Sequence, residues 1–409
     1  MKVLMLTGVF SPCPQSASQR VSSFAQVLSS EGFEVVVVTA NRCIKKMKEI
    51  PSKEDISIYN LKCPRFLLSV SNLIINPVLF LLYFFMSVII AARKGIDAIL
   101  VSVPNGETAI AGFFLSKLFR SFLVVDMRDL YPPPRIELPF LDLHTPSKLN
   151  DLLIGFFSFL YRNSSRVTCV DENIRQKIIA SGVASENTLV VPNGADTVVY
   201  VPLSPRERER VRTRNGLPVD KFIFVYAGSL IWYYPVDKVI LGLRKLSVRR
   251  SDLRLLIISP MNYSSQKELV KRLGLENFVE FRGPLSVNKA AEILSACDVG
   301  IVVYRGENYF RTMYGSKIFS YMSCGLPILA SGPPGGVTDT IIRKYKVGFF
   351  VGKPDEKNFK RGFSFFLDNK GKAKNMGANA RKAVENFYDR RKLGLKLAAL
   401  IAEACKGKG

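Results

Sequence analysis

The sequence predicts an α/β protein built from two doubly wound parallel sheets, one after the other along the chain. Short runs of valine, isoleucine, leucine and phenylalanine recur through both halves, and stretches with helical periodicity separate them. Continuously apolar strands that alternate with helices are typical of a parallel sheet covered on both faces. A charged stretch near the middle interrupts this alternation, which then restarts. With 409 residues, the chain is long enough for two domains.

The elements follow in order along the chain. The first half contains predicted strands at 3–6, 34–39, 98–101, 122–126, 166–170 and 189–191. The second half contains predicted strands at 222–227, 253–259, 279–282, 299–304, 328–331 and 349–351.

The domain boundary is predicted from the segment between these two sets of strands. The sequence RERERVRTR, followed by Asn-Gly-Leu-Pro, predicts a short solvated helix with a stop signal. We therefore predict a first domain over 1–203, a linker over 204–220 and a second domain over 221–387. A helical pattern at the end of the chain predicts a terminal helix, about 388–405, that packs back on the first domain.

Charge and cysteine usage limit the partners. The 58 Lys and Arg against 34 Asp and Glu give a formal net charge of +24, which attracts nucleic acid, acidic lipid headgroups or a phosphorylated substrate. The sequence contains no recognised nucleic-acid-binding module, so we predict no nucleic-acid partner. The seven cysteines form no CxxC pair, which disfavours a zinc site or a disulfide framework and favours the cytoplasm.

Candidate chemistry in the first half follows the strands, because ligands of doubly wound sheets bind at the carboxyl ends. The loop GVFSPCPQSASQRV feeds a helix at 18–29 and is either an anion-binding loop or an ordinary connection. Asp126, Arg128 and Asp129 follow another strand. Two carboxylates are too few for a convincing metal site, so we favour an acceptor-positioning or structural role. Two such sheets facing each other would form a cleft.

The second half contains three candidate segments. Gly228 and Ser229 end its first strand, where a glycine lets a phosphate or sugar approach the backbone. The segment 282–283 ends a later strand, where its backbone groups can contact a nucleobase. Lys317 lies in the first turn of a short predicted helix, which is unfavourable for the helix dipole. A bound anion such as a diphosphate would explain this cost, and a solvated surface lysine is the alternative.

Nucleophilic and dinucleotide chemistry are not indicated. The single histidine is His144, in a proline-containing loop, and the sequence has no GxSxG motif and no cysteine with a nearby histidine. The GxGxxG fingerprint is also absent from the sequence.

Segments in both halves resemble, in order, the GT-B glycosyltransferases of family four. The closest resemblance is to the amino-sugar transferases of polysaccharide and O-antigen synthesis. It covers nearly the whole chain and implies two Rossmann-like domains. It also implies retaining, metal-independent transfer, without a cofactor, from a nucleotide-diphospho-sugar to a glycan or lipid-linked acceptor. The donor would bind mainly to the C-terminal domain. The segments are MKVLMLTGVFSP with Gln19-Arg20, VVDMRDLYP, VVPNGADTVVY, FVYAGSL, FRGPL, ACDVGIVVY and SKIFSYMSCGLPILAS.

The resemblance also implies roles for individual residues. It implies that Asp129 and Lys317 are catalytic. The implied donor-binding residues are Gly228, Ser229, Arg282, Gly283, Arg311, Ser316, Lys317 and Ser320. The implied acceptor-side residues are Gln19, Arg20, Asp126, Arg128 and Asp129, and no metal ligand is implied.

Several positions depart from the family pattern. Ser320 stands where the family has an acidic residue for the donor ribose, and Thr312 stands where it has another. Gly315 replaces a proline, an Arg/Lys pair is not evident in 229–235, and a histidine is missing from 102–105. These departures leave a catalytically degenerate binding or scaffold protein of the same fold as the alternative function.

An apolar segment in the first half predicts a membrane contact. The sequence from Asn76-Pro77 to Ala92, followed by Arg93-Lys94-Gly95, predicts a helix with proline at its first position and glycine after its end. Its roughly 16 apolar residues fall short of the ~20 that span a bilayer. A helix that is apolar all round is either buried or lies on a lipid surface. We favour peripheral attachment at an anionic cytoplasmic membrane face, and burial under 63–76 or in a dimer interface is the alternative.

Overall fold

A computed structural model describes residues 1–11, 16–40, 56–61, 72–131, 147–313 and 315–406. The chain forms two compact units. The first unit contains 1–192 and 390–409, and the second contains 193–389.

The first unit is a parallel sheet of seven described strands in the order β3-β2-β1-β4-β5-β6-β7. Six of these strands lie where the apolar runs predicted them, within two residues at each end. The exception, β3, was not predicted, because this edge strand is mostly half-buried and its sequence ISIYN is not a continuous apolar run. The elements are β1 Lys2–Thr7, α1 Ser16–Ser30, β2 Glu34–Thr39, β3 Ile56–Asn60, α2 Asn72–Lys94, β4 Ala98–Val103, α3 Gly106–Leu118, β5 Phe122–Met127, α4 Ser147–Arg162, β6 Arg166–Cys169, α5 Glu172–Ala180 and β7 Thr188–Val190.

The second unit is a parallel sheet of six described strands in the order β10-β9-β8-β11-β12-β13. Each lies within one residue of its predicted position. The elements are α6 Pro205–Arg214, β8 Phe222–Ala227, α7 Val236–Ser247, β9 Leu253–Ile258, α8 Ser264–Arg272, β10 Val279–Arg282, α9 Val287–Ser295, β11 Val299–Val303, α10 Lys317–Ser323, β12 Ile328–Ser331, α11 Val337–Tyr345, β13 Gly348–Phe350, α12 Glu356–Asp368 and α13 Lys370–Ala383.

The boundary between the units differs from the predicted one. The second unit begins at Asn193, and the predicted linker 204–220 forms part of it. Within that segment, Arg212 of α6 donates hydrogen bonds to the Asp298 carboxylate at 2.6 Å and to the Ala296 carbonyl at 2.8 Å. The charge pattern predicted a solvated helix, but two of its arginines have a common carboxylate partner in the second unit.

The last helix, α14 (Arg390–Lys406), belongs to the first unit and packs on α1. A Cβ built on Gly394 would lie 2.8 Å from a methyl group of Val27, so the absence of a side chain at this position lets the two helices approach closely. Together α1 and α14 cover one face of the first sheet. On the other face, α3 packs through Gly112 against the side chains of Val101, Ile99 and Leu123.

The second sheet is also covered on both faces. One face packs against α7 and α12, and the other packs against α9, α10, α11 and α13. Every strand of this sheet ends at the same edge, because all its described pairings are parallel. Side chains that follow β8 and β11 are therefore brought together at this edge.

Candidate active site

At the carboxyl edge of the first sheet, the side chains of Arg20 and Asp126 form a buried ion pair. The Arg20 guanidinium donates from Nε and Nη2 to the two Asp126 oxygens at 3.0 and 2.8 Å. It also donates to the carbonyls of Pro192 and Val191 at 2.7 and 2.8 Å, and Thr168 donates to Asp126 at 2.8 Å. The two charged residues are 4% and 2% exposed.

The electrostatics of this pair favour its charged form. Burial raises the pKa of Asp126, but the Arg20 charge and the hydrogen bonds from Arg20 and Thr168 outweigh it, and the pKa is lowered overall. The pair joins α1 to β5, β6 and the end of the first unit. The acceptor-contacting role predicted for Arg20 and Asp126 is therefore not supported, because their polar atoms are engaged with protein partners and are buried.

The other predicted residues of this edge are more open. Asp129 is exposed and Gln19 is half-buried. The half-buried Arg128 donates from Nε to Ser102 Oγ at 3.1 Å, so it has a polar partner within the sheet edge. Asp129 and Gln19 thus remain accessible to a ligand of the first unit.

Three further residues at this edge were missed by the sequence analysis. Glu107 is buried in the first turn of α3 and accepts a hydrogen bond from Asn105 Nδ2 at 3.3 Å. The Tyr131 ring lies against the Cα of Gly106, and burial followed by the Glu107 charge raises the pKa of Tyr131. The absence of a side chain at Gly106 is the signal that could have indicated this close contact.

At the carboxyl edge of the second sheet, Lys317 lies in a pocket of aromatic rings. Its Nζ is 3.8 Å from the ring centroid of Tyr234 and 4.4 Å from that of Tyr226. It also donates to the Tyr226 hydroxyl at 3.2 Å. In the described part of the chain, no carboxylate lies within ion-pair distance of this ammonium. Burial lowers the pKa of Lys317 to about 7.

The backbone beside Lys317 has little room for a side chain. Gly228 follows β8 with φ at +154°, and a Cβ built there would lie 2.9 Å from Lys317 Nζ. The sequence predicted that this glycine lets a phosphate approach the backbone, and the group found against it is the lysine ammonium itself. Gly228 therefore positions the cation.

The predicted serines of this site lie around the same edge. Ser316 precedes α10 and makes no side-chain capping bond, and Ser320 lies one turn into that helix. Ser229 is half-buried, and its carbonyl accepts a hydrogen bond from the Tyr226 hydroxyl at 2.6 Å. Lys317, Ser316, Ser229 and Gly228 thus lie on two adjacent segments, as the parallel sheet requires.

Arg282 and Arg311 have other partners. Arg282 forms an ion pair with Glu280 at 2.6 Å and donates to the Asn215 carbonyl at 2.7 Å. Its side chain is therefore occupied by protein groups, whereas the Cα of Gly283 faces open space. Arg311 is exposed and lies 3.4 Å from the Gly335 carbonyl.

The aromatic residues of this site were not predicted. Segment 229–235 lacks the family's cation pair, and no role was predicted for the tyrosines there. The Tyr234 ring packs edge-on against Tyr226 and at a tilted angle against Tyr304, with ring centroids 6.5 and 5.4 Å apart. A cavity of about 510 Å³ opens beside it, lined in part by Trp232 and Arg305. The repeated Tyr-Tyr in this loop is the signal that could have indicated an aromatic site.

Among the described residues, no group of three or more His, Cys, Asp or Glu side chains lies close enough to hold a metal ion. His144 and Tyr314, which the sequence analysis also considered, lie outside the described residues.

The site residues of the second unit coincide with a known sequence family. Residues 207–383 match the family model of glycosyl transferases group 1. This segment contains Lys317, Gly228 and both ring partners of the lysine. The second unit is therefore similar in sequence to the group 1 glycosyltransferases over this segment.

Curated relatives carry a consistent name. A D-inositol 3-phosphate glycosyltransferase of Corynebacterium aurimucosum is 28% identical over 160 residues, which are 37% of this chain and 36% of the relative. The matched share of the first curated relatives' own length runs from 36% to 56%. These relatives are not named as amino-sugar transferases of O-antigen synthesis.

Solved structures show the same fold over nearly the whole chain. Sucrose-phosphate synthase from Thermosynechococcus elongatus has a TM-score of 0.77 at 16% identity and covers 98% of both chains. HepE of Anabaena in complex with UDP-glucose has a TM-score of 0.73 at 17% identity, covering 98% of this chain and 100% of that one. These likenesses confirm the predicted GT-B fold, with two parallel-sheet α/β domains.

Proposed function

We propose that this chain is a glycosyltransferase that takes its sugar from a nucleotide-diphospho-sugar bound at the carboxyl edge of the second sheet. The main support for the proposal is Lys317, a half-buried cation with aromatic neighbours and no carboxylate partner in the described residues. A diphosphate supplies the missing negative charge. The group 1 match over this segment and the UDP-glucose bound to HepE support the same ligand class.

In this proposal the site promotes sugar transfer by electrostatic stabilisation of the leaving group. When the bond between the sugar and the diphosphate breaks, negative charge builds on the leaving phosphate oxygens, and a positioned cation lowers that barrier. Lys317 has a pKa of about 7 when no ligand is bound, and a nearby diphosphate raises that pKa and keeps the ammonium charged. Transfer with retention at the anomeric carbon and without a metal is part of the proposal.

The second part of the proposal concerns the identity of the acceptor. We assign the chain to cell-surface polysaccharide synthesis, with a glycan or lipid-linked sugar as acceptor, on the sequence resemblance to amino-sugar transferases. The names of the curated relatives favour an inositol phosphate as the competing acceptor. Asp129 and Gln19, accessible at the edge of the first sheet, are the candidate acceptor contacts.

Donor binding is tested by thermal shift against a panel of nucleoside diphosphates and nucleotide-sugars. A ligand at 100 times its dissociation constant stabilises the folded state by about 2.7 kcal/mol, so at least one diphosphate of the panel should raise the melting temperature. The matching nucleoside without phosphates is the control and should give a much smaller shift. If no diphosphate stabilises the protein, the proposed donor site is wrong.

Catalysis is tested with the donor that binds best. Hydrolysis of that donor, or transfer to either a lipid-linked sugar extract or inositol 3-phosphate, would establish an active enzyme and identify the acceptor class. Binding without turnover, restored by Ser320→Glu, would instead identify a degenerate member whose ribose contact has been lost. Binding without turnover in both proteins would contradict the enzymatic proposal.

A further inference from the structure

The solvent-facing side of α2 is apolar. Leu81, Phe85, Met86 and Ile89 are 48%, 60%, 36% and 49% exposed. The 18 residues Pro77–Lys94 have a mean hydropathy of 1.7, and only 28% of them are buried. Single exposed apolar side chains are ordinary, but a continuous row along one helix marks an interaction surface.

The other side of α2 is attached to the sheet. The Tyr83 side chain is buried, and its hydroxyl donates to the Thr7 carbonyl and accepts from the Ala40 amide, both at 2.8 Å. The helix also begins at Asn72, so Pro77 lies inside it and not at its first position as the sequence predicted. A helix docked on β1 and β2 in this way cannot cross a bilayer without breaking these bonds. It lies against its sheet with one side outward.

The apolar surface continues over the two neighbouring helices. The ring centroids of Phe80 and Phe114 are 6.3 Å apart, which joins α2 to α3, and those of Phe113 and Phe159 are 6.0 Å apart, which joins α3 to α4. We call this surface the apolar face. Its exposed members include Leu81, Phe85, Met86, Ile89, Phe114, Leu118, Leu152 and Phe159.

Cations border the apolar face at one end. Exposed Arg93, Lys117 and Arg162 lie in the last turns of the three helices, and exposed Arg120 follows α3. The ends are adjacent, since Lys117 Nζ lies 3.4 Å from the Asn163 carbonyl just after α4. We call these four residues the cationic rim. An apolar surface with cations along one border matches the boundary between acyl chains and anionic headgroups.

We propose that the apolar face docks the first unit on an anionic lipid bilayer, with the three helices in the plane of the interface and the cationic rim among the headgroups. The chain would then work at the cytoplasmic face of a membrane. This inference is independent of the proposed donor site, because all of its residues belong to the first unit.

The apolar contribution is tested by co-sedimentation with vesicles of phosphatidylglycerol and phosphatidylcholine. The double variant Phe85→Ser/Ile89→Ser removes two exposed members of the apolar face and should lower partitioning at least tenfold. The control Val198→Ser/Val248→Ser removes two exposed apolar side chains of the second unit, which are 85% and 71% exposed, and should bind like the parent. Circular dichroism and unchanged thermal shift by a nucleoside diphosphate verify that each variant is folded.

A second comparison separates the contribution of the cationic rim to vesicle binding from that of the overall net charge of +24. Changing Arg93, Lys117, Arg120 and Arg162 to glutamine should abolish most binding to anionic vesicles at low salt. The control changes four exposed lysines of the second unit, Lys344, Lys372, Lys374 and Lys382, to glutamine and has the same net charge. If net charge alone drives binding, the two variants lose equal amounts of vesicle binding, and the proposed orientation is wrong.

The same samples show whether a bilayer or a second copy of the chain binds to the apolar face. Failure of the parent to sediment with anionic vesicles at low salt overturns the proposal. A stable dimer in light scattering that the Phe85→Ser/Ile89→Ser variant dissociates, without vesicle binding by the parent, assigns the face to a second copy instead. Binding to vesicles by a monomer, lost in both face and rim variants but in neither control, supports the proposal.

Discussion

Each sheet has a cation at its carboxyl edge, the buried Arg20 in the first unit and the half-buried Lys317 in the second, and the two cations differ in their partners. Arg20 of the first unit donates two hydrogen bonds to the carboxylate of Asp126 and others to the carbonyls of Pro192 and Val191. Among the described residues, Lys317 of the second unit donates to one tyrosine hydroxyl, and its other close neighbours are aromatic rings. The carboxyl edges of two similar sheets thus contain a closed ion pair and a cation without a described carboxylate partner.

This difference in partners indicates that the Arg20 charge has a structural role, whereas we propose that the Lys317 charge serves ligand binding. Placing an ion in the protein interior costs several kcal/mol, and the cost is offset only if a partner compensates it. In the first unit the compensating group is part of the fold. In the second unit no such group is present among the described residues, and the proposed anionic ligand would offset the cost.

Arg20→Met should lower the free energy of unfolding by about 3 to 5 kcal/mol, because it leaves the Asp126 carboxylate buried without its partner. Urea denaturation followed by circular dichroism measures the loss. Arg166→Met is the control, since Arg166 donates to Asn187 and to a backbone carbonyl, with no carboxylate, and its loss should cost about 1 kcal/mol. Equal losses in the two variants would contradict the structural role of the pair.

Lys317→Met should leave the stability of the ligand-free protein intact but weaken ligand binding, in contrast to Arg20→Met. The ligand-free variant should be at least as stable as the parent, because a half-buried cation without a described carboxylate partner has been removed. Affinity for a nucleoside diphosphate should fall by about 1.5 to 3 kcal/mol, the usual value of a hydrogen bond to a charged group. Calorimetric titration measures this change, with Lys357→Met on α12 as the control. Unchanged affinity would remove Lys317 from the donor site.

The pH dependence of nucleoside diphosphate binding should follow the lowered pKa of Lys317. Because this pKa is about 7 in the free protein, the lysine is charged below that pH and loses its proton above it. Affinity should therefore fall as the pH rises above about 7, by up to tenfold or about 1.4 kcal/mol per pH unit. Titrations in buffers of different ionisation enthalpy should also show proton uptake. A flat profile in the parent, equal to that of Lys317→Met, would be incompatible with this assignment.

The same pKa predicts a stability trend for the ligand-free protein. Between pH 7 and the ordinary lysine pKa of 10.5, the unfolded chain holds a proton that folded Lys317 has lost. The unfolded state then binds more protons, so the contribution of this group to the free energy of unfolding rises with pH over that window. Comparison with Lys317→Met isolates the contribution.

Thr168→Val is the smallest change. It removes one hydrogen bond to Asp126 but leaves the ion pair with Arg20, so the free energy of unfolding should fall by about 1 kcal/mol. Nucleoside diphosphate affinity, measured as for Lys317→Met, should stay the same, since Thr168 belongs to the first unit. A loss as large as that of Arg20→Met would show that the pair depends on Thr168.

Much of the fold follows from local sequence patterns. Continuous apolar runs predicted nearly all of the described strands, because a parallel strand that is covered on both faces needs apolar side chains on both. Edge strand β3 was missed for the same reason, since its half-buried side chains need not be apolar. The position of Lys317 at the start of a short helix was also predicted, and that helix begins at the lysine.

The sequence by itself thus determined the order of the strands along the chain, the two sheets and the position of Lys317 at the start of a short helix. Only the tertiary structure decided which charges are compensated. Arg20 and Asp126 are 106 residues apart, and Lys317 meets Tyr226 from 91 residues away. Neighbours in sequence predict helices and strands, because those depend on local backbone preferences and side-chain period. Pairing of charges depends on packing between distant segments, and no local pattern specifies which partner a buried charge will meet.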